Sequence, residues 1–289
     1  MSGLFNETSR TIQVLRGFIV RKQNPRRARV ALAGSALLLT FFASFPATAE
    51  PLALGAFYLW EDKPYVGFQS GEKYEVLPFI SYNDKRIFFR GLEGGIRLFD
   101  QSNIGVSFIG RYNTMGYEAG DSPALVGMSD RDHAIELGGL IRWRPGNLGV
   151  RGFAVADVTG KHDGYEAGAE VTLSGESRGW EAFYRLGASW FSKGIVDYYF
   201  GVLPGEMIPM TRPTYRPDAD LNGFASIDLV YHMNLPIDIW LRADYTWFGS
   251  EITNSPIVGS DTEFSGMVGL GYRFDFWDKE KKDTGTYRR

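Results

Sequence analysis

Residues 237–248 read Ile-Asp-Ile-Trp-Leu-Arg-Ala-Asp-Tyr-Thr-Trp-Phe, a run that alternates along its length. Ile237, Ile239, Leu241, Ala243, Tyr245 and Trp247 share one face, and Asp238, Arg242, Asp244 and Thr246 share the other. A period of two is the strand period, because successive side chains leave opposite faces of a sheet. Residues 180–190 repeat the pattern, with Trp180, Ala182, Tyr184, Leu186, Ala188 and Trp190 against Glu181, Arg185 and Ser189. Residues 135–143 do so again, with Ile135, Leu137, Gly139, Ile141 and Trp143 against Glu136 and Arg142. In the last such segment Phe264, Val268, Leu270, Tyr272 and Phe274 oppose Gly269, Gly271 and Arg273.

A soluble sandwich also alternates. Three features point instead to a transmembrane barrel. The segments run to about ten residues, the length of a tilted spanning strand rather than the usual five or six. Aromatic side chains bracket the apolar faces at strand ends, as interfacial girdles do. Short and long connections also take turns along the chain. Composition agrees: 43 of 289 residues are Phe, Trp or Tyr, which excludes a chain too polar to fold. With no Cys there is no disulfide framework, thiolate site or cysteine nucleophile. A formal charge of −3 gives nucleic acid no footprint as a partner.

The first 49 residues read as an address. Arg21, Lys22, Arg26, Arg27 and Arg29 precede an apolar run from Val30 to Ala43, followed by Ala47-Thr48-Ala49. Basic, apolar and small-residue parts in that order make a secretory signal, with cleavage expected after Ala49. The expected organisation is an extension plus signal over 1–49, a barrel over 50–274 and a periplasmic tail over 275–289.

The connections set the topology. Asn83–Lys85, Asp100–Asn103, Pro145–Asn147, Ser174–Arg178 and Asn234–Pro236 are short and are assigned to the periplasm. Met115–Arg131, Thr159–Gly164, Lys193–Ala219 and Gly249–Asp261 become surface loops. An even count requires Arg86–Phe99 to hold two strands, broken near Gly91–Gly95 where glycines permit a bend. The result is an all-β antiparallel barrel of about twelve strands with both termini periplasmic.

The inward face is rich in charge: Glu93, Arg97, Arg111, Glu136, Arg142, Arg151, Glu170, Glu181, Arg185, Asp228, Asp238, Arg242, Asp244 and Arg273. An Arg on the lipid face at the bilayer midplane costs about 2–4 kcal/mol, so these groups belong in the lumen. The candidate lumenal network is Glu136, Arg142, Glu181, Arg185, Asp238, Arg242, Asp244 and Arg273. It reads either as a pore lining or, in a small barrel, as paired charges that fill the interior. Tyr272 and Phe274 end the last strand and form the candidate signal for the barrel assembly machinery.

No catalytic motif stands out. G-x-S-x-G, H-E-x-x-H, the P-loop and the dinucleotide fingerprint are absent after residue 49. His133, His162 and His232 fall at a strand mouth, in a loop and at the opposite barrel end, where they read as ordinary loop or rim residues rather than a triad base. No cofactor or metal is expected. The longest loop, Lys193–Ala219, is rich in proline and aromatics and is expected to fold over the mouth.

Tyr74-Glu-Val-Leu-Pro-Phe-Ile-Ser-Tyr82 and Phe88-Phe-Arg-Gly-Leu-Glu-Gly-Gly95 resemble the opening of the MipA/OmpV family of outer-membrane proteins. Ser129-Asp-Arg-Asp132, Ser250–Val258 and Gly269–Phe274 resemble that family's later elements, in family order. The resemblance implies a non-enzymatic barrel among outer-membrane lipids. One member type is described as a scaffold linking a lytic transglycosylase to a penicillin-binding protein, and others are treated as porin-like or adhesin-like. Scaffold, small-solute channel and surface-binding protein therefore all stay open, and no site residue carries over.

Overall fold

The computed structural model describes residues 52–68 and 74–274. The expected signal at 1–49 and tail at 275–289 lie outside the described residues. Twelve antiparallel strands close on themselves: β1 (Leu52–Asp62), β2 (Tyr74–Asn83), β3 (Ile87–Arg90), β4 (Glu93–Gln101), β5 (Ile104–Asn113), β6 (Ala134–Trp143), β7 (Leu148–Asp157), β8 (Tyr165–Ser177), β9 (Trp180–Phe191), β10 (Asp220–His232), β11 (Ile237–Trp247) and β12 (Thr262–Phe274). Each pairs with its neighbours in sequence, and β1 closes the ring on β12, from Leu52 opposite Phe274 to Asp62 opposite Phe264. Closure removes the sheet edges that a flat sheet of this size would expose.

The alternation sorts the two faces. Ile135, Leu137, Ile141 and Trp143 of β6 are exposed on the outside, whereas Glu136 between them is fully buried. Tyr184 and Leu186 of β9 face outward in the same way, as do Val268, Leu270 and Tyr272 of β12. Inside, Ile109, Leu140 and Val155 pack with Phe88 and Phe153, so the lumen is partly filled by apolar side chains as well as charges.

Two strands do occupy Arg86–Phe99, and the break falls at Gly91–Leu92. Gly91 has φ +61°, a left-handed turn conformation that suits glycine. Gly94 and Gly95 already lie in β4, where the rings of Phe89 and Phe88 occupy the space of a side chain. The Ser174–Arg178 connection is shorter than expected. β8 runs on to Ser177, and the turn is Arg178–Gly179, both at positive φ (51° and 83°). Two left-handed residues make the tight hairpin whose twist matches the strands, which lets pairing continue to Ser177 opposite Trp180.

The β2–β3, β4–β5, β6–β7, β8–β9 and β10–β11 turns lie at one end of the barrel, together with the start of β1 and the end of β12, whereas the tight Gly91–Leu92 turn points toward the other. The long connections gather at the other end. There α1 (Lys193–Phe200), α2 (Ser250–Thr253) and the single 3₁₀ turns Pro123–Leu125 and Pro204–Glu206 punctuate the loops.

Candidate functional site in the lumen and under the loops

Strand neighbours bring the inward charges together in separate groups. Nearest the long loops, Arg111 of β5 reaches Glu136 of β6 (Nε to Oε2 2.9 Å) and also Glu166 of β8. Glu136 is fully buried; its other oxygen accepts from Asn113 Nδ2 at 2.9 Å and lies 3.2 Å from His162 Nε2. Gly164 N–H donates to His162 Nδ1 at 3.1 Å, which assigns the ring proton to Nε2, facing the carboxylate.

Lower in the lumen Arg151 binds Glu93 at 2.6 Å and lies 3.8 Å from Glu170. Arg185 pairs with Asp228, and Arg242 Nε sits 2.7 Å from Asp244 and 3.7 Å from Asp228. At the short-turn end, His232 lies between Asp238 (2.8 Å) and Glu181 (3.1 Å), while Arg273 meets Asp238 at 2.9 Å. Arg142 pairs with Asp100, which also lies 3.6 Å from Arg97.

The eight residues singled out from the sequence therefore divide into four local groups. Arg185, Arg242 and Asp244 come together through Asp228; Glu181, Asp238 and Arg273 meet around His232. Glu136 and Arg142, though on one strand, belong to different groups. Arg242 contacts Asp244 and Asp228 rather than Asp238. Sequence reading missed Glu166, Asp100, Asn113 and the roles of His162 and His232. Glu166 was within reach, since it stands four residues before Glu170 on the same alternating face.

The long loops form a second site, an apolar cap. Tyr65, Tyr117, Leu125, Met128, Ile195, Val196, Tyr199, Phe200, Val202, Ile252 and Ile257 are buried in one cluster drawn from the β1–β2, β5–β6, β9–β10 and β11–β12 connections. Each fully buried aliphatic side chain contributes about 1.5–3 kcal/mol, which favours docked over free loops. Burial pushes the Tyr65, Tyr117 and Tyr199 hydroxyls up from their ordinary values, so they remain neutral. Tyr199 hydroxyl donates to Asp132 O at 3.2 Å and Ser255 hydroxyl to Phe200 O at 2.6 Å.

At the centre of this cap Arg131 grips both oxygens of Glu206. The Arg131 guanidinium also donates to Tyr198 O (2.7 Å) and Ser129 O (2.9 Å), and lies over the rings of Tyr117 and Tyr198. Glu206 accepts further bonds from the N–H groups of Ser129 (2.9 Å) and Leu203 (3.0 Å). Burial raises the Glu206 carboxyl, but these donors outweigh it and hold the pKa below the ordinary value. Arg212 completes the latch by donating to the carbonyls of Glu206, Ala124 and Val126.

His133 lies against the Tyr112 ring, with centroids 5.5 Å apart. Among the described residues, no cluster of three or more His, Cys, Asp or Glu is arranged to hold a metal ion. Tyr272 is exposed on the outer face of β12, its ring edge-on to Phe274 at 4.8 Å.

Comparison with known proteins finds a match of residues 54–274 to the family model described as MltA-interacting protein MipA. The putative outer membrane protein YiaT of Escherichia coli strain K12 is 23% identical over 239 residues, covering 82% of this chain and 95% of that protein. The MltA-interacting protein of the same strain is 23% identical over 227 residues, covering 78% and 90%. Outer membrane protein OmpV of Vibrio cholerae is 26% identical over 175 residues, covering 61% and 67%.

Proposed function

The chain belongs to the family described as MltA-interacting protein MipA and is an outer-membrane β-barrel protein, and from that premise we propose that it acts without catalysis, as a closed barrel that holds a cell-wall enzyme at its periplasmic rim. In this reading the long loops face outward, the short turns and both termini face the periplasm, and residues 1–49 are removed on export. The partner class is a murein hydrolase, suggested by the name of the MltA-interacting relative; a penicillin-binding protein as second member rests on the family resemblance alone.

The observation that carries the reading is the cap. A channel needs a water-filled path, whereas the loops at one mouth pack into a buried apolar cluster latched by Arg131 and Glu206. The paired lumenal charges point the same way, since each Arg already has a carboxylate at hand in Arg111, Arg151, Arg185, Arg242 and Arg273.

Two measurements on the purified barrel test the proposal. In a planar bilayer it should give little or no steady conductance, and when immobilised it should retain a murein hydrolase from a periplasmic extract. A large, stable conductance with no retained hydrolase would replace the scaffold with a solute channel.

A further inference from the structure

At the short-turn end, one side of the lumen carries more arginine than carboxylate. The strand period would place Arg97 and Asp100, three residues apart on β4, on opposite faces. Both turn inward, because β4 slips against β5 between Arg97 and Phe99. Arg97 pairs with Ser107, Phe99 with Val106 and Asp100 with Gly105, which makes Leu98 the extra residue of a β-bulge. Leu98 and Phe99 are both exposed on the outer face. A bulge re-aims the residues beyond it, and this one delivers Asp100 to the lumen.

Gly105 then opens a path across the sheet. It stands in register between Asp100 of β4 and Arg142 of β6, and a Cβ on it would lie 2.6 Å from Arg142 Nε. Arg142 crosses that space and reaches Asp100. Arg97 lies 3.6 Å from the same carboxylate. Its guanidinium is fixed from behind by the Asp84 carbonyl, by Asn83 Oδ1 at 2.5 Å and by the Phe88 ring at 4.9 Å. Asp100 therefore divides its single charge between two arginines.

Two more arginines join this group without a carboxylate of their own. Arg144 follows Arg142 by two residues, on the same face, in a turn pinned by its N–H to Asn103 O at 2.7 Å. Arg90 of β3 stands opposite Ser81, and its guanidinium lies 5.9 Å from the ring of Phe183 on β9, across the lumen. Both residues are exposed, and neither forms an ion pair among the described residues. The carboxylates within electrostatic reach of Arg90 are engaged elsewhere: Glu93 by Arg151 at 2.6 Å, and Glu181 by His232 at 3.1 Å. Partial burial lowers the Arg144 guanidinium from its ordinary value, and Arg142 and Arg90 lower it further against the pull of Asp100. Four guanidinium groups thus face one carboxylate.

We propose that Arg90 and Arg144, with Arg142 beside them, form a lumenal binding site for a phosphate group, reached from the short-turn end. The charge selects the class. Two unpaired cations match a ligand of charge about −2, which a phosphate monoester or inorganic phosphate approaches at neutral pH and a monocarboxylate does not. Guanidinium forks also suit phosphate oxygens, which accept paired N–H bonds from them. The Phe183 and Phe88 rings hold Arg90 and Arg97 in place without neutralising them. The inference rests on lumenal geometry and does not depend on the scaffold reading.

Isothermal titration calorimetry tests it, with inorganic phosphate added to the full-length exported protein folded in dodecyl maltoside and chloride buffer. The native barrel should bind phosphate saturably. Arg90→Gln and Arg144→Gln should each weaken that binding about tenfold or more, the loss expected when a charge-assisted hydrogen bond is removed. Arg216→Gln, which removes an exposed arginine at the long-loop end, should bind as the native protein does. Each variant is first checked for the folded gel mobility; Arg144 lies in a turn and serves if the Arg90 variant does not fold. A second titration uses micelles that carry phosphatidic acid. Undiminished binding of inorganic phosphate there assigns the site to a free phosphate, and competition assigns it to a lipid headgroup. No saturable binding by the native barrel, or equal affinity in the native, Arg90→Gln and Arg144→Gln proteins, would overturn the site.

Discussion

Arg131 and Glu206, seventy-five residues apart, meet in a two-pronged ion pair with N–O distances of 3.0 and 2.9 Å, and both side chains are about 95% buried. Their meeting joins the β5–β6 connection to the β9–β10 connection and so holds the cap over the mouth. Removing one partner of such a pair leaves a buried charge alone, at a cost of about 3–5 kcal/mol. Glu206→Ala should therefore open the cap while the barrel persists. Limited proteolysis should cut the Lys193–Ala219 loop far faster in the variant, with the heat-dependent gel shift retained. Unchanged loop protection would show that apolar packing alone keeps the mouth shut.

The same pair gives the cap a pH limit. A carboxyl whose folded pKa is depressed contributes its full stabilisation above the unfolded value, about 4.3 for Glu. That contribution fades as pH falls below it and through the lower folded value, because the unfolded state then takes up protons first. Glu206 is such a group: burial alone would raise it, but the Ser129 and Leu203 N–H groups and Arg131 lower it further. Loop proteolysis by an acid-active protease should be flat from neutral pH to the ordinary carboxylate range and rise below it. In Glu206→Gln that added rise should be missing.

The lumenal groups differ in depth, and their variants should rank accordingly. Arg111 serves a Glu136 side chain that is 0% exposed, so Arg111→Met strands a fully buried carboxylate, at about 3–5 kcal/mol. Arg242 is itself 38% exposed and its partners Asp244 and Asp228 are wet, so Arg242→Ala should cost about 1 kcal/mol or less. Heat-modifiability on a detergent gel should show a much lower transition for Arg111→Met than for Arg242→Ala. Neither should create a large conductance while the cap is closed. Equal losses would mean that the lumen is uniformly hydrated.

The wall was legible because pairing geometry is periodic: an inward Glu136 between outward Ile135 and Leu137 is readable from order alone. Lumenal aromatics were harder. Trp240 stands in phase with Asp238 and Arg242, and its ring packs on Phe79 at 4.2 Å, inside the barrel. It fits there because Gly271 of β12 leaves room; a Cβ at Gly271 would strike the indole. Period two marks a face, not its polarity. The Arg131–Glu206 latch was out of reach for a different reason, because loops have no period and nothing local in Ser129–Asp132 names a partner in a distant loop. The group around His232 escaped as well, since it depends on which short turns abut.

The Trp240 position yields a direct test of how tightly the lumen is filled. Gly271→Val keeps the strand pairing with Gly55 and with Asp238, and adds a branched side chain where the indole now lies. Overpacking of this kind typically costs about 1–3 kcal/mol, and relief requires Trp240 to leave Phe79. The variant should assemble but melt earlier. Its near-ultraviolet circular dichroism should lose aromatic intensity, because the fixed Trp240–Phe79 arrangement is what gives those rings a chiral setting. Trp240→Leu in the same background should restore part of the lost stability by vacating the space. If Gly271→Val melts like the native protein with an unaltered aromatic spectrum, the lumen beside β12 is open enough to absorb a side chain, and the barrel is looser than its Trp240 packing implies.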